Sequence, residues 1–189
     1  MKKIVIFASG SGSNAEKIIL HFKNSTLGNV VAVFTNNLHA KALDRAENLD
    51  IATQIFTREE LNNGGVLEKI EAIQPDLIVL AGFLWKFPEN IIKEYPNKIV
   101  NIHPALLPKY GGKGMYGMYV HQAILDNKEA ETGISIHYVN EHYDEGGIIF
   151  QQTVNIEDCT TAECIAEKVH ALEHEYFPVT IEKLLISNA

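Results

Sequence analysis

Short apolar runs that alternate with segments of helical spacing are the feature that most restricts how this chain can fold. Residues 3–8, 29–34, 76–81 and 98–101 form such runs, in which apolar side chains follow one another instead of alternating with polar ones. Strands of this kind are buried on both faces, which is typical of parallel sheets covered by helices. We therefore predict an α/β fold with a doubly wound, mostly parallel sheet.

Helices are predicted between these strands. The first helical segment starts at residue 15, and the others cover residues 40–49, 65–73, 90–95, 119–126 and 161–186. Asn14 or Ser13 suits the N-cap of the first helix, and we expect the last helix to be interrupted near Pro178. Residues 133–139 and 147–154 alternate more between polar and apolar side chains, which predicts antiparallel strands at the edge of the sheet.

The composition predicts one folded domain over residues 1–189, because 46% of the residues are hydrophobic and 21% are charged. The net charge of −8, without a basic block, excludes a nucleic-acid partner. The longest apolar run, 77–85, is about half of a membrane span, so we expect a cytoplasmic protein without a membrane partner. Cys159 and Cys164 match neither a CxxC redox motif nor a zinc motif and are expected to be reduced thiols.

A glycine loop follows the first predicted strand. Gly10, Gly12 and Ala15 satisfy the loose dinucleotide fingerprint, in which glycines let backbone N–H groups approach a phosphate at a helix N-terminus. The second strand ends at residues 34–37 without the carboxylate that would hold a dinucleotide ribose. A loop for a phosphate monoester is favoured over an NAD site, and a purely structural turn is the third interpretation.

Asn101 and His103 lie at the carboxyl end of the strand that begins at residue 98. Ligands of open parallel sheets bind beside these strand ends, and residues two apart on a strand point to the same side. An amide and an imidazole that face one point could stabilise an oxyanion and transfer a proton. The alternative is that both side chains satisfy backbone groups of the following loop.

Two further segments contain possible site residues. Residues 137–147 include His137, His142 and Asp144, and a carboxylate beside a histidine raises the pKa of the imidazole. A metal site is a rival interpretation, but without a recognised ligand spacing we predict none, and a solvated loop is the main alternative. Aromatic side chains at 83–87 suit either a pocket for a flat heterocycle or ordinary core packing.

Together these segments resemble one family. The Gly-Ser-Asn loop, the Ala-Gly-Phe turn at 81–83, the run Asn-Ile-His-Pro-Ala-Leu-Leu-Pro-Lys-Tyr at 101–110 and the His-x6-Asp-x-Gly-Gly stretch at 137–147 are similar to those of the glycinamide ribonucleotide formyltransferases. The resemblance implies a Rossmann-like formyltransferase domain. It also implies transfer of the formyl group of 10-formyltetrahydrofolate to the amine of phosphoribosylglycinamide in purine synthesis, without metal or NAD. The length of the chain leaves no room for the extra domains of related transferases.

The resemblance also implies roles for single residues. Asn101, His103 and Asp144 would be catalytic: Asn101 and protonated His103 hold the oxyanion, His103 donates a proton to the folate nitrogen, and Asp144 raises the His103 pKa and relays the proton of the amine. His137 would support them. The ribonucleotide would bind Gly12, Ser13, Asn14, His170 and Glu173. The folate would bind Arg58, Leu84, Trp85, Lys86, Phe87, Asn101, Asn140, Glu141, His142, Tyr143 and Asp144.

The chain departs from the family pattern in two places. Trp85 stands where arginine is common, and the loop 111–117 is longer than the usual connection to the next helix. Three other functions remain open: formylation of another amine such as a sugar nucleotide, a nicotinamide-dependent oxidoreductase, and a ligand-binding domain without catalysis. The expected partners are small molecules, and the expected assembly is a monomer or a homodimer.

Overall fold

A sheet of seven strands runs through the computed structural model, which describes residues 1–187. The strands are β1 Lys2–Phe7, β2 Gly28–Thr35, β3 Ala52–Ile55, β4 Leu77–Leu80, β5 Ile99–His103, β6 Glu131–Tyr138 and β7 Ile148–Asn155. Their order is β3-β2-β1-β4-β5-β6-β7; the first five strands pair in parallel, and β6 and β7 are antiparallel. The predicted parallel sheet with antiparallel edge strands is confirmed.

Helices connect the strands and cover both faces of the sheet. They are α1 Ser13–Phe22, α2 Lys41–Glu47, α3 Arg58–Asn63, α4 Gly65–Ile73, α5 Glu89–Glu94, α6 Met118–Asp126 and α7 Ala162–Ser187. Alternate residues of β1 separate two cores: Ile4 and Ile6 pack on the side of α1, α6 and α7, whereas Val5 and Phe7 pack on the side of α4 and α5. This division explains why the central strands are apolar at every position.

The ends of the helices differ from the sequence predictions. Gly12, with φ 71°, is the N-cap of α1, so the prediction of Asn14 or Ser13 is wrong. A Cβ atom on Gly12 would lie 2.5 Å from Ala42 Cα, and only glycine fits so tight a left-handed position. Helix α3 was not predicted, although Thr57 and Glu60 form the capping box that signals its start.

Helix α7 continues through Pro178, so the predicted interruption is wrong. Pro178 has no N–H to donate, but it is buried, and the neighbouring Phe177 and Ile181 are fully buried in the core. Burial of the proline and its neighbours in the core therefore compensates for the missing N–H, and the helix is not interrupted.

The two cysteines are bonded to each other, so the expectation of reduced thiols is wrong. Cys159 follows β7, Cys164 lies in the first turn of α7, and their Cα atoms are 5.5 Å apart, which is within disulfide reach. The turn between β7 and α7 produces this proximity. None of the helices within residues 1–187 combines the length and apolarity required to cross a bilayer.

Candidate active site

A cavity of about 520 Å³ opens at the carboxyl edge of the sheet, where the strand order reverses between β1 and β4. Loops that follow β1, β4 and β5 form its walls, together with the β6–β7 connection and residues of α6 and α7. Ligands of open α/β sheets bind at such switch points. The cavity brings together most of the residues singled out in the sequence.

One end of the cavity is formed by the glycine loop and α7. Gly12, Ser13 and Asn14 line it at the N-terminus of α1, where backbone N–H groups without helical partners favour an anion. Asn14 Nδ2 donates to Glu173 Oε2 at 2.8 Å, and Asn14 Oδ1 is buried without a hydrogen-bond partner. Burial raises the pKa of Glu173, opposed by the Asn14 hydrogen bond and by His170. This end offers donors for a phosphate beside a carboxylate suited to hydroxyl groups.

Four polar side chains are linked in the middle of the cavity. Asn101 Nδ2 lies 3.1 Å from His137 Nε2, and His137 Nε2 lies 3.5 Å from Asp144 Oδ1. The other oxygen of Asp144 lies 3.5 Å from His103 Nδ1 and accepts a hydrogen bond from Gly112 N at 2.9 Å. The expected grouping of Asn101, His103, His137 and Asp144 is therefore present. Asp144 has φ 57°, a left-handed conformation that directs its carboxylate between the two imidazoles.

Backbone carbonyls determine the histidine tautomers. His137 Nδ1 lies 2.8 Å from Tyr138 O, and His103 Nε2 lies 2.7 Å from Tyr110 O. A carbonyl oxygen only accepts, so each of these ring nitrogens carries a hydrogen. His137 Nε2 faces both the Asn101 amide at 3.1 Å and Asp144 Oδ1 at 3.5 Å, and the second hydrogen of the Asn101 amide remains for a ligand. His103 directs Nδ1 towards Asp144.

Opposing interactions act on the pKa values of the two titratable partners at the centre of the cavity, His103 and Asp144. Burial lowers the pKa of His103, whereas Asp144 and the Tyr110 carbonyl raise it and His137 lowers it. Burial has the largest effect, so the pKa of His103 lies below its ordinary value in spite of Asp144. Burial raises the pKa of Asp144, but the His137 hydrogen bond, the His103 charge and Gly112 N–H together hold it below its ordinary value.

The other end of the cavity has an aromatic wall. Phe83, Trp85 and Phe87 follow β4, and Phe83 and Phe87 pack edge-on against Phe7 of β1. Ser9 Oγ accepts a hydrogen bond from Leu84 N at 3.0 Å, which fixes this turn beside the glycine loop. The predicted folate residues that line the cavity are Leu84, Trp85, Lys86, Phe87, Asn101, Asn140, His142, Tyr143 and Asp144.

Two predicted folate residues lie outside the cavity lining. Glu141 is exposed on the β6–β7 connection. Arg58 is exposed at the start of α3, and its guanidinium carbon lies 4.6 Å from the centre of the Trp85 ring. The cation is thereby held beside the aromatic wall at the rim. Among residues 1–187, no group of three or more histidine, cysteine or carboxylate side chains is arranged to hold a metal ion.

His121 is a cavity residue that the sequence predictions missed. It lies on α6 with 2% of its surface exposed, and its Nδ1 is buried without a hydrogen-bond partner. The sequence offered one signal for its burial: His121 lies beside Val120 and near Ile124, on the apolar side of a predicted helix. Burial, followed by the charges of His170 and His103, lowers the pKa of His121 to about 4. His121 is therefore neutral at pH 7.

Burial of His121 makes the stability of the fold dependent on pH. The unfolded chain protonates this residue near pH 6.5 and the folded chain near pH 4, so the unfolded state binds more protons in between. We expect acidification from pH 6.5 to 4 to lower the free energy of unfolding by up to about 3 kcal/mol through His121. In urea unfolding across this pH range, His121→Gln should lose less free energy of unfolding than the native protein loses. The exposed His39→Gln variant is the control and should lose as much as the native protein. A loss in His121→Gln equal to that of the native protein would contradict the prediction.

Comparison with known proteins agrees with this geometry. Residues 2–181 match the family model described as formyl transferase. The phosphoribosylglycinamide formyltransferase of Bacillus subtilis is 33% identical, with 98% of this chain and 95% of that protein covered. The chloroplastic enzyme of that name from Arabidopsis thaliana is 34% identical over 93% of this chain, which spans only 63% of that relative's length.

A solved structure agrees as well. The crystal structure of phosphoribosylglycinamide formyltransferase from Brucella melitensis superimposes with a TM-score of 0.87 at 35% identity, with 97% of this chain and 95% of that one covered. The same assignment follows from the fold, from the length of the family match and from the sequence identity to this structure. The chain belongs to the formyl transferase family and is a relative of its phosphoribosylglycinamide formyltransferases.

Proposed function

We propose that this protein transfers the formyl group of 10-formyltetrahydrofolate to the amine of phosphoribosylglycinamide, a step of purine synthesis. The observation that carries the proposal is the position of the linked Asn101, His137, Asp144 and His103 side chains between an anion-binding end and an aromatic end of one cavity. Two substrates that enter from these ends meet at the polar centre.

The anion-binding end suits the ribonucleotide. The N-terminus of α1, with Gly12, Ser13 and Asn14, receives the phosphate, since helix N-termini favour anions. Glu173 accepts hydrogen bonds from ribose hydroxyls, because its carboxylate is buried beside Asn14 and directed into the cavity. His170, exposed on the preceding turn of α7 with its Nε2 3.9 Å from Glu173 Oε2, adds a donor at the entrance.

The polar centre performs the transfer. The substrate amine attacks the formyl carbon, and the oxygen that gains negative charge is stabilised by the second hydrogen of the Asn101 amide and, once His103 Nδ1 has accepted a proton, by the positive charge of that ring. Asp144, ionised near neutral pH, accepts the proton released by the amine. His103 Nδ1, 3.5 Å from that carboxylate, relays a proton to the departing folate nitrogen as the C–N bond to the folate breaks.

The aromatic end suits the folate. Leu84, Trp85 and Phe87 form an apolar wall for a flat ring, and the β6–β7 connection at Asn140–Asp144 lies across from it. Lys86 and the Arg58 guanidinium at the rim provide positive charge for the anionic tail of the folate. These local cations offset the net charge of −8, which repels both anionic substrates.

An absorbance assay tests the proposed reaction. The purified protein is mixed with phosphoribosylglycinamide and a 10-formyl folate, and the conversion of the folate is followed spectroscopically. Conversion that depends on the ribonucleotide supports the proposal. Conversion with an amino-sugar nucleotide instead would favour the alternative acceptor, and NADH binding without formyl transfer would favour an oxidoreductase.

Stacking of Arg58 on Trp85 predicts a selective effect on folate use. Trp85→Ala removes the ring that holds the guanidinium at the rim, an interaction of about 0.5–1 kcal/mol at an exposed site. We expect KM for the formyl folate to rise by about two- to fivefold, with KM for the ribonucleotide unchanged. Trp85→Phe should recover part of the loss because a smaller ring remains. An unchanged folate KM in Trp85→Ala would contradict this role.

We further propose a cytoplasmic protein that forms one formyl transferase domain over residues 1–189 and works on small molecules as a monomer or homodimer. The absence of a basic block and the net charge of −8 support the exclusion of nucleic acid. Light scattering coupled to size-exclusion chromatography distinguishes the two assemblies.

A further inference from the structure

A carboxylate outside the cavity holds the chain segment that follows His103. Glu129 lies in the turn between α6 and β6, and its Oε1 accepts hydrogen bonds from Lys109 Nζ at 3.0 Å and from the Tyr110 hydroxyl at 2.9 Å. Its backbone N–H donates to Ile124 O at 3.3 Å, in the last turn of α6. Glu129 therefore ties the loop after β5 to α6.

Tyr110 is fixed at both of its ends. Its hydroxyl donates to Glu129, and its backbone carbonyl accepts from His103 Nε2 at 2.7 Å. Its φ of 56° is left-handed, which costs a residue with a side chain on the order of 1 kcal/mol or more and persists only where neighbouring contacts enforce it. The hydroxyl contact with Glu129 is one such contact. Burial and Glu129 raise the pKa of Tyr110 to about 12, so its hydroxyl keeps the donated hydrogen.

We propose that Glu129 is a positioning residue for formyl transfer. By holding Lys109 and Tyr110, it fixes the Tyr110 carbonyl, and this carbonyl fixes the orientation and the tautomer of His103. With a hydrogen held on Nε2, His103 directs Nδ1 towards Asp144. Glu129 does not line the cavity, and its role in catalysis rests on the function proposed above.

The first part of the loop has a separate anchor. Leu107 N donates to Ser135 Oγ at 2.9 Å, and Gln151 Nε2 donates to Leu107 O at 3.0 Å and to Ser135 Oγ at 2.8 Å. Ser135 Oγ in turn donates to Ala105 O at 2.7 Å. Removal of the Glu129 carboxylate therefore frees residues 109–110 while the first part of the loop stays bound to the sheet.

Glu129 acts on His103 through the chain and not through its charge. The titratable groups that face His103 are Asp144 on the β6–β7 connection, His137 on β6 and His121 on α6. Among the described residues Glu129 forms no ion pair with His103, whereas the Tyr110 carbonyl contacts the ring directly and raises its pKa. Loss of the carbonyl contact is therefore expected to lower the His103 pKa further.

Four variants test the proposal. Glu129→Ala removes both contacts, Glu129→Gln keeps an acceptor for the Tyr110 hydroxyl, and Tyr110→Phe removes only that hydroxyl. The matched control is Glu131→Ala, which removes an equal charge from an exposed residue at the start of β6. We expect kcat of Glu129→Ala to fall by about tenfold with both KM values nearly unchanged, and Glu129→Gln to recover most of that loss. Glu131→Ala should keep the native kcat.

An NMR titration of the histidine rings supplies a readout that does not depend on turnover. In Glu129→Ala and in Tyr110→Phe, the pKa of His103 is expected to fall below its value in the native protein, and in Glu131→Ala it is expected to stay unchanged. A folded Glu129→Ala protein with native kcat, or with an unchanged His103 titration, would overturn the proposal. Failure of the native protein to transfer formyl groups would instead refute the proposed function, while the shift of the His103 titration would still be measurable.

Discussion

Replacement of His103 by glutamine is expected to lower kcat of the proposed formyl transfer by at least about 10²-fold, which is the scale of removing a general acid. Glutamine keeps a polar side chain beside the Tyr110 carbonyl, but it has no proton to give to the departing nitrogen. His103 is only 4% exposed, so its replacement acts where water cannot easily substitute as the donor. The measurement is steady-state kinetics with both substrates saturating.

Both KM values should change little in His103→Gln, because this ring lies at the polar centre, whereas residues 12–14 and 84–87 form the two ends of the cavity. The exposed His39→Gln variant controls for loss of a histidine elsewhere. A folded His103→Gln protein that loses less than about tenfold in kcat would remove His103 from the role of proton donor.

Replacement of Asp144 by asparagine is expected to produce a second loss of about 10²-fold or more in kcat. Asparagine has the same shape and tolerates the left-handed backbone at this position, where φ is 57°. What disappears is the negative charge that accepts the proton of the amine and that opposes the effect of burial on His103. Because Asp144 raises the pKa of His103, its removal lowers that pKa further.

The change in His103 titration gives Asp144→Asn a signature of its own. The limb of the pH profile that reports protonation of His103 should move to lower pH, because the ring then holds its proton less tightly. The control is Glu157→Gln, which removes one carboxylate from an exposed position outside the cavity lining. An Asp144→Asn protein with a native pH profile would contradict the proposed coupling to His103.

The regular part of the fold follows from sequence periodicity. Strands β1 and β4 are apolar at successive positions, and this pattern alone predicts burial on both faces and parallel pairing. The strand period of two also predicts that Asn101 and His103 point to the same side of β5, and both line the cavity. These predictions succeed because each depends on residues close in sequence.

Other features depend on contacts that no local pattern encodes. Tyr110 adopts a left-handed backbone without being glycine, so its carbonyl contact with His103 could not be predicted from the sequence. Helix α7 continues through Pro178 because the proline and its neighbours are buried in the core, and this packing overrides the usual effect of proline on a helix. The Arg58 stack on Trp85 joins the start of α3 to the turn after β4, two distant parts of the chain.

Because the strand order reverses between β1 and β4, the two ends of the cavity are built by different parts of the chain. The anion-binding end uses the β1–α1 loop and α7, whereas the aromatic end uses the turn after β4 and the β6–β7 connection. Under the function proposed above, the selectivity for the amine can therefore change through residues such as Asn14 and Glu173 without alteration of the aromatic wall. Such a division allows one formyl-transfer centre to acquire new acceptors by substitution at one end only.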